Sequence, residues 1–85
     1  MGSTASDFRK EIAALFRTAT DLGFTAVEVK AGNLHRRVGG YPGQNHRMPV
    51  CCQVMRKAMK RGDSVTSEPK SGAGASLKIS YSLPR

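Results

Sequence analysis

The stretch LKISYSL, residues 77–83, alternates strictly between apolar and polar side chains. A period of two is typical of a strand that has one face in the core and one face in solvent. Val65 and Thr66 mark a shorter β-branched strand before it, and the intervening residues 68–76 are rich in Gly, Pro and Ser. The sequence therefore predicts a C-terminal β-hairpin over residues 63–83 with a flexible tip.

Helical periodicity dominates the rest of the chain. Residues 6–22 carry apolar side chains at three- and four-residue spacing, and Gly23 follows as a helix-ending residue. A short strand is predicted over 24–29 and a short helix over 31–40. Pro49 suits the first turn of another helix, over 50–61, which Gly62 is expected to end. The buried face of that last helix is predicted from one apolar series: Cys51, Val54, Met55 and Ala58.

With 85 residues the chain is predicted to form one small α+β domain, residues 1–85, with residues 1–5 disordered. Its net charge of +8 is unevenly distributed. Residues 1–30 hold four basic and four acidic side chains, whereas residues 31–85 hold ten basic and two acidic ones. This asymmetry indicates a polyanionic partner, with nucleic acid first.

The order of elements, α-β-α-α-β-β with a basic C-terminal hairpin, resembles that of the winged helix-turn-helix DNA-binding domains. The resemblance covers residues 6–85 and depends on architecture and charge. It implies that helix 50–61 is the recognition helix and that hairpin 63–83 is the wing. The implied function is double-stranded DNA binding, by a small transcription regulator or by the targeting module of a DNA-processing system.

The candidate contacts follow from the chemistry of the exposed residues. On the recognition helix, Gln53 can bond adenine and Arg56 can bond guanine, each with two hydrogen bonds, while Lys57 and Lys60 suit phosphates. On the wing, Lys70 and Lys78 are expected to meet phosphates or the minor groove. The remaining candidates come from the second helix and from the loop after it: Arg36, Arg37, Tyr41, Asn45, His46 and Arg47.

The long loop GGYPGQNHRMP leaves alternatives open. Tyr41 either touches the nucleic acid or fills the core beside Leu34. Arg47 either grips a phosphate near the helix N-terminus or pairs with Glu68 or Asp63. Asn45 or His46 is expected to cap the helix that follows.

Other functions are less well supported by the sequence. Adjacent helical cysteines, Cys51 and Cys52, point about 100° apart and cannot easily share one zinc ion, so no metal or cofactor is expected. No carboxylate lies in residues 29–62, and we expect no enzymatic activity. Free thiols without a signal peptide or an apolar run of membrane-spanning length favour a reducing, cytoplasmic protein with no membrane partner.

Three binding alternatives remain. RNA is possible, although the chain offers no evident aromatic platform for stacking single-stranded bases. The basic face could instead dock an acidic protein partner, with Tyr41 and Arg47 as anchors. A homodimer is also possible.

Overall fold

The computed structural model of the protein describes residues 4–39, 46–70 and 72–85. The elements follow one another in the order α1 (Ala5–Asp21), β1 (Ala26–Lys30), α2 (Ala31–Val38), α3 (Met48–Lys57), β2 (Ser64–Ser67) and β3 (Lys78–Ser82). The three strands form one antiparallel sheet in the order β1-β3-β2. The prediction of a small α+β domain with this order of elements is confirmed.

Helix α1 begins one residue earlier than the sequence pattern indicated. Thr4 caps it: its hydroxyl accepts a hydrogen bond from the Asp7 N–H at 3.2 Å, and the Asp7 carboxylate accepts the Thr4 N–H at 2.9 Å. This reciprocal pair satisfies two amides that a helix start otherwise leaves without partners. Residues 4 and 5, expected to be disordered, therefore belong to the cap and first turn, and residues 1–3 lie outside the described residues.

At the C-terminal end of α1, the burial of side chains differs from the predicted apolar face. Gly23 takes a φ of +89°, the left-handed conformation predicted for the residue that ends the helix. Leu22, however, is 71% exposed and Phe24 is 59% exposed. Both lie outside the core, at the turn between α1 and β1.

The core lies between the helices and one face of the sheet. The predicted alternation in β3 is confirmed, since Leu77, Ile79, Tyr81 and Leu83 are all buried. Tyr81 also donates its hydroxyl to the Met55 carbonyl at 2.7 Å, which joins β3 to α3. Burial raises the pKa of this phenol, so it stays a donor.

Strand β1 runs directly into α2. The segment that joins β2 to β3, residues 68–77, is called the hairpin connection, and its last residues fix the junction between β1 and α2. The Ala31 N–H donates to the Leu77 carbonyl at 2.8 Å, and the Gly32 N–H donates to the Ala75 carbonyl at 3.0 Å. A Cβ on Gly32 would lie 3.1 Å from the Cβ of Ala75, so only glycine fits this approach without a shift. The start of α2 is thus bonded to the residues that lead into β3.

The described residues between β2 and β3, 68–70 and 72–77, pack back onto the helices, whereas the sequence predicted a flexible tip. Pro69 is buried, and Ala73 and Ala75 pack partly against the core. The Cys52 thiol lies 3.4 Å from the Gly74 carbonyl, within reach for donation from sulfur. Small side chains are compatible with flexibility and with close packing. Here they allow the chain to pack closely against α2 and α3.

An ion pair closes the end of the domain nearest the C-terminus of α3. The side chain of Asp63 is 0% exposed and that of Arg85 is 9% exposed, with 2.8 Å between carboxylate and guanidinium. Asp63 also accepts the N–H groups of Lys60 and Ser82 at 2.7 and 2.8 Å. Arg85 in turn donates to the Ala58 carbonyl at 2.6 Å, at the end of α3.

Candidate nucleic-acid interface

Helix α3 has a buried side and a narrow exposed stripe. Met48, Cys51, Cys52, Val54 and Met55 are buried against α1, α2 and the hairpin connection. The exposed stripe consists of side chains four residues apart: Pro49, Gln53 and Lys57. The predicted burial of Cys51, Val54 and Met55 and the predicted exposure of Gln53 and Lys57 are confirmed. The rest of the predicted exposed face is wrong, because Arg56 is only partly exposed and Lys60 lies beyond the end of the helix.

The first turn of α3 is held by histidine side chains. His35 of α2 is 0% exposed, and its Nε2 accepts the Arg47 N–H at 2.8 Å. The N-cap residue is Arg47, which makes no side-chain capping bond, and His46 before it accepts the Met48 N–H on Nδ1 at 3.3 Å. The start of α3 is therefore fixed to α2.

Arg56 is engaged within the protein. Its guanidinium donates to both carboxylate oxygens of Glu68, one of them at 3.5 Å, and to the Gly72 carbonyl at 2.8 Å. These bonds hold the guanidinium between α3 and the hairpin connection. The side chain expected to read guanine instead ties the two elements together.

The lysines predicted on α3 and the wing occupy three different environments. Lys60 is exposed but follows the end of α3, because the helix ends at Lys57 and a turn leads to Gly62. Lys70 is exposed in the hairpin connection. Lys78 is half-buried in β3, directly opposite Lys30 of β1 on the sheet face that points away from the core. Lys78 therefore lies on the sheet and away from the tip of the hairpin.

Both arginines predicted on α2 are exposed, and Arg37 forms an ion pair. Arg37 donates through Nε to the Glu11 carboxylate of α1 at 2.8 Å. Arg36 is exposed at the neighbouring position of the helix. Arg37 thus links α1 to α2, and this use was not evident from the local sequence.

The alternatives left open for the loop are partly resolved. Tyr41 and Asn45 lie outside the described residues. Arg47 is exposed, and both of its proposed acidic partners are bonded to other arginines: Glu68 to Arg56 and Asp63 to Arg85. The contact of Arg47 with a phosphate stays a prediction.

The adjacent cysteines are parts of the core. The Cys51 thiol lies 3.5 Å from the Ala31 carbonyl and Cys52 is 1% exposed. Burial, with a contribution from the neighbouring Cys52, raises the pKa of Cys51 to about 12, and burial also raises the pKa of Cys52. Thiols held in the protonated form are poor nucleophiles and poor metal ligands. Over the described ranges, no group of three or more His, Cys, Asp and Glu side chains could hold a metal ion.

The sequence pattern did not predict the role of His35, which is buried and bonds the start of α3. A signal was present: Ala31, Leu34, His35 and Val38 follow the i, i+3, i+4, i+7 spacing of a buried helix face. The ring packs edge-on against Phe8 at 4.9 Å between centroids. Its burial places a polar acceptor where the α3 start needs one.

No helix in the part of the chain that the structure describes is long and apolar enough to cross a membrane. Comparison of the sequence with protein-family models and with curated proteins, and of the structure with solved structures, found no match.

Proposed function

We propose that this protein binds double-stranded DNA through the exposed stripe of α3 and the adjacent hairpin connection, in the manner of a winged helix domain. The order of elements supports the proposal, because the hairpin follows α3 directly and its connection packs beside that helix. In winged helix domains these two elements are the recognition helix and the wing.

The observation that carries the proposal is the chemistry of the exposed stripe. An α-helix fits the major groove of B-DNA, where an amide side chain bonds adenine N6 and N7 and a lysine suits phosphate. Gln53 and Lys57 lie one turn apart on the exposed side of α3. Between Glu28 and Asp63 the chain has no carboxylate side chain, whereas it has eight Lys and Arg residues there.

Charge at the two ends of α3 supports the same function. Arg47 precedes the helix and Lys60 and Arg61 follow it, all of them exposed, and Lys70 extends the positive surface onto the hairpin connection. Arg56 has a positioning role: with Glu68 it sets the hairpin connection against the helix. Affinity then depends mainly on phosphate contacts, and base selection depends mainly on Gln53.

A salt series tests the proposal. About five phosphate contacts predict a slope near −4.5 for log K against log salt, a loss of roughly 500-fold between about 50 and 200 mM. Fluorescence anisotropy on duplex DNA, single-stranded DNA and double-stranded RNA of equal length measures this and compares the three ligands. Tightest binding to the DNA duplex with a steep slope is expected.

Matched variants locate the surface. Lys57→Ala should reduce the magnitude of the slope by about 1 for every sequence, whereas Gln53→Ala should weaken binding only to sites that contain the preferred base pair. Lys10→Ala, an exposed lysine on α1, is the control and should leave the slope unchanged. Absence of duplex binding at low salt refutes the proposal. A pull-down of an acidic protein that survives nuclease digestion would point to the adaptor alternative.

A further inference from the structure

An open groove of about 350 Å³ lies between α3 and the hairpin connection. Its apolar walls are Pro49 and Val50 from the first turn of α3 and Ala73 from the connection, while Gln53 and Arg56 contribute its polar groups. Because Gln53 also belongs to the exposed stripe, the groove opens onto the proposed DNA-binding face.

The lining of the groove does not suit a phosphate. Its cationic group, Arg56, already donates hydrogen bonds to the Glu68 carboxylate and to the Gly72 carbonyl. The charge of Arg56 is therefore already compensated by an anion within the protein. Apart from Arg56, the lining consists of the Gln53 amide, the apolar side chains of Pro49, Val50 and Ala73, and Cys52 and Gly72. Among the groups exposed in the major groove of DNA, the one that matches an apolar wall is the methyl group on C5 of thymine, which 5-methylcytosine also carries.

We propose that this groove accepts the C5 methyl group of a pyrimidine, beside a base pair whose purine is bonded by Gln53. The inference rests on the proposed function and extends it to the feature of the base that is recognised. Val50 lies three residues before Gln53, one helical turn away, so a methyl group on the same or the neighbouring base pair reaches the groove while the amide bonds adenine.

The groove keeps its width without a ligand. Arg56 bonds the connection at Gly72, and the Cys52 thiol lies within hydrogen-bonding distance of the Gly74 carbonyl. These two contacts fix one wall to the other. A methyl group therefore enters a groove whose two sides are already joined, at little cost in reorganisation.

Four alternating duplexes of equal length test the inference: A–T, A–U, G–C and G–5-methylcytosine. Each pair differs only in the C5 methyl group. Burial of one methyl-sized group is worth about fourfold in affinity, so A–T is expected to bind at least about fourfold more tightly than A–U. A gain confined to the A–T pair assigns the groove to thymine, and one confined to the G–5-methylcytosine pair assigns it to the modified base.

Variants distinguish recognition of the methyl group in the groove from binding of DNA to the rest of the proposed surface. Val50→Ser should abolish the preference for the methylated duplex while retaining affinity for the A–U duplex. Ala73→Leu, which fills the groove, should do the same and serves if Val50→Ser lowers the thermal stability of the fold. Lys70→Ala is the control and should weaken all four duplexes alike.

The outcomes distinguish this inference from the proposed function. Equal affinity within both pairs overturns the methyl site but leaves DNA binding intact. A methyl preference that persists in Val50→Ser and in Ala73→Leu also overturns it. Failure to bind any of the four duplexes overturns both.

Discussion

Replacing Asp63 with alanine is expected to remove a large share of the stability of this domain. The Asp63 side chain is 0% exposed, accepts two backbone N–H groups and pairs with Arg85, whose side chain is 9% exposed. Removal of one partner from a buried ion pair typically costs about 3–5 kcal/mol, because the other charge stays buried without compensation. Here two amides lose their acceptor as well.

That cost is a large part of the free energy of unfolding of the domain. A chain of this length is expected to have a free energy of unfolding of about 4–13 kcal/mol, so the variant should lie near the limit of folding. The matched control is Glu68→Ala, which breaks the pair with Arg56 at a site where the two side chains are 54% and 36% exposed. Exposed pairs contribute about 0–1 kcal/mol.

Urea unfolding followed by far-ultraviolet circular dichroism measures both variants against the parent chain. We expect Asp63→Ala to lower the midpoint far more than Glu68→Ala does. Equal and small losses would refute the reasoning, because they would mean that burial of the Asp63–Arg85 pair does not govern its energetic role.

The same pair predicts a dependence on pH. Burial alone would raise the pKa of Asp63, but hydrogen bonds from the Ser82 and Lys60 amides and from Arg85 outweigh it and lower the pKa below its ordinary value of 3.8. A carboxyl with a lowered folded-state pKa stabilises the fold above the unfolded value and loses that contribution as pH falls through the folded value. The difference in stability between the parent chain and Asp63→Ala should therefore be constant above about pH 5 and shrink below pH 4. A constant difference down to pH 2 contradicts this.

Three further predictions concern the core. Gly32→Ala should lower the free energy of unfolding by about 1–3 kcal/mol, measured in urea, because the new Cβ meets the hairpin connection at 3.1 Å. Tyr81→Phe should cost about 1–3 kcal/mol in the same assay by leaving a buried α3 carbonyl without its donor, and a neutral result contradicts that bond. Cys51 and Cys52 should react with a thiol reagent at mildly alkaline pH only after unfolding, since burial raises the pKa of both, and rapid modification of the native protein would contradict it.

Local patterns were sufficient to predict the elements that one periodicity governs. The alternation from Leu77 to Leu83 identified β3 and its buried face, and the apolar series that begins at Cys51 identified the buried side of α3. Both patterns arise within one element, because neighbouring side chains share one side of a strand or helix.

The parts that the sequence could not predict depend on distant contacts. Arg56 bonds residues 12 and 16 positions away, and His35 bonds the Arg47 amide 12 positions away. No spacing rule connects such residues. The helical spacing of Arg56 is the same whether its side chain faces solvent or a loop that folds back onto the helix. For this reason the spacing could not show that Arg56 bonds Glu68 and Gly72.

The contacts of residues 72–75 with α2 and α3 have a thermodynamic consequence for association. Three bonds, to Gly72, Gly74 and Ala75, order this connection before any ligand arrives. A segment that orders only on binding loses about 1–2 kcal/mol of conformational entropy for each backbone residue fixed. Because most of that loss has already occurred during folding here, a calorimetric titration with duplex DNA should show a heat-capacity change near that expected for rigid partners, without the excess that accompanies coupled folding.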